Sequence, residues 1–169
     1  MAVILQTPRL ILREFTIEDV EPFFLLCSHP EVLRWTGDPG VRDLDEARIG
    51  LLTRPIADYA KHGFGRWACI DRASGKLIGF SGLKYLDELR EVDLGYRFLA
   101  PWWGCGLATE AGRAVCDYGF ATLGLKRILG LVQPGHVRSI RVLDKLSFNL
   151  EGEIDYRGSR VLAYARSAP

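Results

Sequence analysis

Two hydrophobic periods meet near the middle of the chain. Val92, Leu94, Tyr96 and Phe98 alternate with Asp93, Gly95 and Arg97, the period of two of a strand with unlike faces. Directly after, Leu107, Ala111, Ala114, Val115 and Tyr118 recur at three- and four-residue steps, as on one face of a helix. Between them Pro101-Trp102-Trp103-Gly104-Cys105-Gly106 carries two closely spaced glycines. The stretch reads as strand, glycine turn and helix start, and the other elements arrange themselves around it.

Toward the N-terminus, Arg9 to Phe15 reads as a first strand. Thr16 and Asp19 form a capping pair for a helix carrying Val20, Phe23, Phe24 and Cys27, with Pro22 tolerated in its first turn and His29-Pro30 ending it. Glu31 to Asp43 reads as a loop, with Trp35 expected to pack rather than to line a pocket. A second helical pattern, Leu44, Ile49, Leu52, Ile56 and Tyr59, must be kinked or divided by Pro55. Gly65 to Asp71 and Lys76 to Leu83 flank the hairpin turn Arg72-Ala73-Ser74-Gly75 and feed the strand of Glu91 to Leu99.

Beyond the helix of residues 106–122, Gly124 is a stop signal, and Arg127 to Val132 is a near-continuous apolar strand. A strand after a helix after a strand makes a parallel crossover the economical topology. Pro134-Gly135 leads into a short helix with Ile140, Leu143 and Leu146 inward, and Phe148 to Tyr156 with Ser159 to Ala165 form a closing hairpin joined at Arg157-Gly158. The expected architecture is a single mixed α+β domain over residues 1–169.

Composition narrows the function classes. Hydrophobic residues at 48% and charged residues at 25% of 169 suit a soluble globular protein. With 22 basic and 21 acidic residues the net charge is +1, which gives no global field for nucleic acid or anionic membrane. No apolar run approaches the ~18 residues of a membrane span, and the opening Met1 to Pro8 has no basic leader, so a cytoplasmic location is expected. Cys27, Cys69, Cys105 and Cys116 form no Cys-x-x-Cys pair and His29, His62 and His136 are scattered, so no metal site is expected.

The glycine turn carries the candidate chemistry. First-turn amides of a helix lack internal partners and carry partial positive charge, and side-chain-free glycines let them converge on one anion. The alternative is tight turning and close helix–sheet packing. A P-loop would need Gly-Lys-Ser/Thr, and a dinucleotide fold an acid ~20 residues on; neither is found. Cys105 reads as a spacer in the loop.

Three segments in order, Asp93-Leu94-Gly95-Tyr96-Arg97-Phe98-Leu99, Trp102 to Ala111, and Ser139-Ile140-Arg141-Val142-Leu143-Asp144-Lys145-Leu146, resemble the GNAT superfamily of acetyl-CoA-dependent N-acetyltransferases. The opening Thr7-Pro8-Arg9-Leu10-Ile11-Leu12-Arg13 and the element order resemble its RimJ/RimL-type branch. The resemblance implies a mostly antiparallel sheet of about seven strands with about four helices and a V-shaped splay at the donor cleft. It implies that Trp103, Gly104, Cys105, Gly106, Leu107, Ala108 and Thr109 hold the CoA pyrophosphate, while the strand end at Phe98 and Leu99 pairs with the pantetheine arm. His136 and Ser139 then border the same arm, with no metal involved.

For catalysis the resemblance offers Asp93, where relatives carry a glutamate acting directly or through water. Its side chain either faces the cleft or solvent, or pairs with Arg97. Ser139 matches a proposed donor to the departing sulfur, or is a helix-start hydroxyl satisfying amides. His136 stands where the family has asparagine, and Ser147 where it has glycine; the histidine either relays protons or replaces a contact. The implied reaction is acetyl transfer from acetyl-CoA to a primary amine in a ternary complex, with an N-terminal α-amine of a protein or peptide as acceptor. The alternatives are a small amine (antibiotic, polyamine or amino acid) or a non-catalytic acyl-CoA-binding module. The expected state is monomer or homodimer.

Overall fold

A computed structural model of the protein describes residues 3–169. Met1 and Ala2, the start of the stretch read for a basic leader, lie outside the described residues. Eight strands form one sheet: β1 (Val3–Gln6), β2 (Leu10–Arg13), β3 (Arg66–Asp71), β4 (Leu77–Leu86), β5 (Glu91–Phe98), β6 (Arg127–Val132), β7 (Asn149–Tyr156) and β8 (Ser159–Ser167). Their spatial order is β1-β2-β3-β4-β5-β6-β8-β7, antiparallel everywhere except β5 beside β6. The helices are α1 (Val20–Ser28), α2 (Pro30–Leu33), α3 (Leu44–Leu51), α4 (Ala57–His62), α5 (Leu107–Ala121) and α6 (Val137–Lys145). The mixed α+β fold is as expected, with one strand and two helices more than the count implied.

Alternation along the central strands explains a sheet covered on both faces. On β3, Trp67 and Cys69 join a core with Leu83, Leu94, Phe98, Val115 and Leu143, beneath α5 and α6. Ala68 turns to a second core with Phe15, Phe23, Leu26, Val41 and Leu51, beneath α1 and α3. At about 25 cal/mol per Å² of apolar area removed from water, these two layers dominate stability.

Local chemistry accounts for the element ends. Asp19 Oδ2 accepts the Thr16 N–H at 2.9 Å and both Asp19 oxygens take the Arg13 guanidinium at 2.7 and 2.8 Å, which nucleates the turn before α1. Pro55 lies in a π-helical turn, Leu52–Ile56, that separates α3 from α4, because proline has no N–H for the regular ladder. The Arg157-Gly158 turn has φ of 53° and 75° at its two residues, the left-handed pair of a tight hairpin. β1 escapes sequence reading because it is a sheet edge whose burial does not alternate.

β5 and β6 share a single register pair, Asp93 with Leu129, and diverge beyond it. This is the splay. The Leu99 N–H bonds to Ile78 O at 2.9 Å, and the alternation of an antiparallel ladder then turns the backbone groups of Tyr96 and Phe98 away from β4 and into the fork. Among the described residues no helix is long and apolar enough to cross a membrane.

Candidate active site

The glycine loop forms at the open end of the fork. Gly104 and Gly106 have φ of 74° and 80°, left-handed values that favour glycine, and Gly106 is the N-cap of α5 without a side-chain cap. Among the described residues no protein acceptor takes any of the six backbone N–H groups from Gly104 to Thr109, whereas the next, Glu110, bonds to Gly106 O at 3.0 Å. A β-carbon at Gly104 would meet nothing within 4 Å. A row of unpartnered amides at a helix start, facing open space, fits the diphosphate of a CoA donor.

The loop is held from behind. Glu110 Oε1 accepts from Thr7 Oγ1 at 2.6 Å and from the Arg9 N–H at 2.9 Å, while Arg9 Nε reaches Glu110 Oε2 at 2.7 Å and Arg9 Nη1 reaches Cys105 O at 2.8 Å. Trp103 Nε1 donates to Phe98 O at 2.7 Å and Arg138 stands 5.3 Å from the Trp103 ring. Of the sequence-identified loop residues, Leu107 is a core anchor, buried among Ala111 and Val115. Ala108 and Thr109 are half-buried, and Cys105 is exposed. Phe98 O and the Leu99 N–H both have protein partners, so the strand end offers a donor arm fewer free groups than the resemblance implies.

At the vertex, Asp93 faces neither solvent nor Arg97. It is buried, its Oδ2 accepts from Arg66 Nη2 at 2.7 Å, and its Oδ1 accepts the Leu131 N–H at 3.2 Å, across the opening. Burial pushes its carboxyl above the ordinary value, and Arg66 offsets only part of that rise. Arg66 arrives from β3 by lying over Gly95, where a β-carbon would sit 2.3 Å from the guanidinium carbon. Arg97 instead reaches Asp38 at 3.4 Å, Leu26 O at 3.3 Å and Cys27 Sγ at 3.4 Å.

On the α5 and α6 face, Tyr96 and Ser139 come together. The phenol oxygen is 2.8 Å from Ser139 Oγ and 3.2 Å from Ser139 O. Burial drives the Tyr96 phenol well above its usual range, so it remains a proton-bearing donor at neutral pH. Strand alternation alone puts Tyr96 among apolar neighbours; its hydroxyl contact depends on where α6 docks, which no local pattern contains. His136 is the N-cap of α6, and its ring stacks on Trp35 with centroids 5.2 Å apart and planes 5° from parallel. Burial, then Arg138, keeps its pKa below the ordinary value. Trp35 belongs to neither core; it ties the loop after α2 to the start of α6.

Across the sheet from α5, a cavity of about 160 Å³ lies under α1, the Leu52–Ile56 turn and α4, with Arg54, Arg66, Lys84, Arg97, Asp38 and Asp58 around it. Among the described residues no group of three or more His, Cys, Asp or Glu is placed to hold a metal ion.

The family description "Acetyltransferase (GNAT) domain" matches residues 9–149. YoaA of Bacillus subtilis (strain 168), an uncharacterized N-acetyltransferase, is 35% identical over 153 residues, covering 90% of this chain and 86% of that protein. Spermidine N(1)-acetyltransferase of Escherichia coli (strain K12) is 35% identical over 145 residues, 85% of this chain and 74% of that protein. The crystal structure of an acetyltransferase (GNAT family) from Bacillus anthracis superposes with a TM-score of 0.81 at 25% identity, over 96% of this chain and 97% of that one. The match of the family description from the second strand to the seventh, together with relatives above 30% identity, establishes that the chain belongs to the GNAT acetyltransferases, which move an acetyl group onto an amine.

Proposed function

We propose that this acetyltransferase takes its acetyl group from acetyl-CoA and delivers it to an N-terminal α-amine of a protein or peptide by direct attack in a ternary complex, as in the RimJ/RimL-type branch. The observation that carries the acceptor class is the state of Asp93: both of its oxygens are already engaged, by Arg66 and by the Leu131 N–H. A lysine amine, with an ordinary pKa near 10.4, needs a base to become nucleophilic at pH 7, whereas an α-amine near 7.7–8.0 is already partly neutral. A fork whose carboxylate is occupied suits the second.

Acetyl-CoA, when bound, supplies a thioester whose carbonyl carbon accepts the amine nitrogen. The unpartnered amides from Gly104 to Thr109 hold its diphosphate, and Arg9, paired with Glu110, fixes the loop through Cys105 O. The N–H groups that β5 turns into the fork are placed to stabilise a carbonyl oxygen as it gains charge. As the C–N bond forms and the C–S bond breaks, the amine passes its proton to water. Ser139 Oγ–H gives a proton to the leaving sulfur and regains one from the water that took the amine's, and the Tyr96 hydroxyl, 2.8 Å from Ser139 Oγ, holds the serine in place. Asp93 holds Arg66 and the vertex in place. His136 packs against Trp35 and keeps the start of α6 where Ser139 needs it.

A polyamine acceptor is the second reading, and it rests on the spermidine acetyltransferase relative. The test is CoA release at saturating acetyl-CoA with three acceptors: an unblocked peptide, Nα-acetyl-lysine and spermidine. The reading expects kcat/KM highest for the peptide. Preference for spermidine supports the polyamine reading, and binding of acetyl-CoA without CoA release for any amine supports a non-catalytic module.

A further inference from the structure

The cavity across the sheet from α5 is smaller than the ~300 Å³ at which pockets for drug-sized ligands begin. Its roughly 160 Å³ therefore admits one small group of an acceptor and not the whole of it. Four cations surround it, Arg54, Arg66, Lys84 and Arg97, against two carboxylates, Asp38 and Asp58. Arg66 is committed to Asp93 at 2.7 Å, and Lys84 stands 3.5 Å from Asp58. That leaves Asp38 shared between Arg54 at 3.1 Å and Arg97 at 3.4 Å, two guanidinium groups on one carboxylate.

Asp38 is ionised: burial opposes its charge, but the Gly40 N–H and then Arg54 and Arg97 hold its pKa below the ordinary value. One positive charge at this end of the cavity therefore has no counter-charge. The Arg97 side chain is only 12% exposed, so water does little to compensate it. Position links this charge to the reaction. Arg97 lies on β5 between Tyr96 and Phe98, whose backbone groups face the fork, and on the same face as Asp93, four residues or about 13 Å from it along the strand.

We infer that the cavity receives a carboxylate of the acceptor, gripped by Arg97 and Arg54, so that the substrate class is an α-amine with a carboxylate close beside it. The inference rests on the α-amine part of the reading above and adds a second recognised group to it. A polyamine would bring further positive charge into a cavity that already holds a surplus. The carboxylate has two sources: an acidic side chain on the first residue of a peptide, or the acceptor's own α-carboxylate in a free amino acid, whose amine that carboxylate holds more fully protonated than a peptide's.

The experiment compares kcat/KM, referred to the neutral-amine fraction of each acceptor, for two matched pairs at saturating acetyl-CoA, with spermidine and Nα-acetyl-lysine alongside. The pairs are L-alanine against L-alaninamide, and a tetrapeptide beginning with aspartate against the same peptide beginning with asparagine. The charged member of at least one pair should be favoured about tenfold or more, as a charge-assisted contact provides, and the pair that responds names the source. Arg54→Gln and Arg97→Gln should bring that ratio toward one. Arg97 bonds to the α1 backbone and its variant is the one at risk of unfolding; Arg54 is more exposed, and retained acetyl-CoA binding with an unchanged melting temperature makes its variant decisive. Ratios near one in both pairs, or a ratio that both variants leave unchanged, would overturn the inference while acetyl transfer to α-amines stood. Turnover of spermidine or Nα-acetyl-lysine with no α-amine used would defeat the α-amine reading and the inference together.

Discussion

At Gly95 the missing side chain makes room for Arg66, whose guanidinium crosses β5 to reach Asp93. Gly95→Ala should therefore displace that guanidinium and leave a buried carboxylate without its cation, a loss on the order of 3–5 kcal/mol, read from urea denaturation. Tyr96 and Ser139 form the second such pair. Ser139→Ala should lower kcat, and Tyr96→Phe should lower it about fivefold, the worth of one neutral hydrogen bond, with acetyl-CoA affinity unchanged in both. The double variant should cost less than the sum, because each hydroxyl acts through the other. Both pairs lie beyond local sequence reading: an interior strand glycine announces a close approach but not what approaches, and Arg66 and Ser139 are 29 and 43 residues from Gly95 and Tyr96 along the chain.

The elements show where a local pattern is sufficient. The glycine loop is legible because positive-φ glycines and a helix start are both local in sequence. Gly106→Ala and Gly106→Glu should each lose ~1–2 kcal/mol of stability for the left-handed backbone. The glutamate variant alone should also abolish acetyl-CoA binding in a calorimetric titration, because its carboxylate meets the phosphates. Retained affinity in folded Gly106→Glu would remove the loop from the donor site. Pro55 likewise divided its helix as its chemistry demands, and the Thr16–Asp19 pair started α1. What the loop leans on was not local: Glu110 is clamped by Thr7 and Arg9 from the β1–β2 turn. Glu110→Ala should weaken acetyl-CoA binding severalfold through loss of that support, while Glu110→Gln, which keeps an acceptor for Thr7 and the Arg9 N–H, should lose less.

For the whole molecule, stability against acid should follow the carboxylates that tie its parts together. Asp19, Asp38 and Glu110 have folded pKa values below their ordinary 3.8, 3.8 and 4.5, because cationic and hydrogen-bonding partners outweigh the opposing effect of burial. Their contribution is present above those values and is lost as pH falls through the folded ones. His136 adds an earlier, smaller decline: its folded pKa lies below 6.5, so the unfolded chain takes up its proton first and stability falls as pH drops below about 6.5. Asp93 shifts the other way and does not contribute to the acid loss. Denaturation midpoints from pH 7 to 3 should show a shallow step and then a steep one, and Trp35→Ala should diminish the shallow one by exposing His136. By itself the sequence determined the strand–glycine–helix unit, the parallel crossover and the open glycine loop, since each follows from periodicity and backbone preference over fewer than about 30 contiguous residues. Only the tertiary structure decided the partner of Asp93, the pairing of Tyr96 with Ser139, the stacking of His136 on Trp35 and the surplus charge around Arg97. Those depend on which distant elements the two cores bring into register, and hydrophobic burial sets that register without regard to the polar groups it carries along.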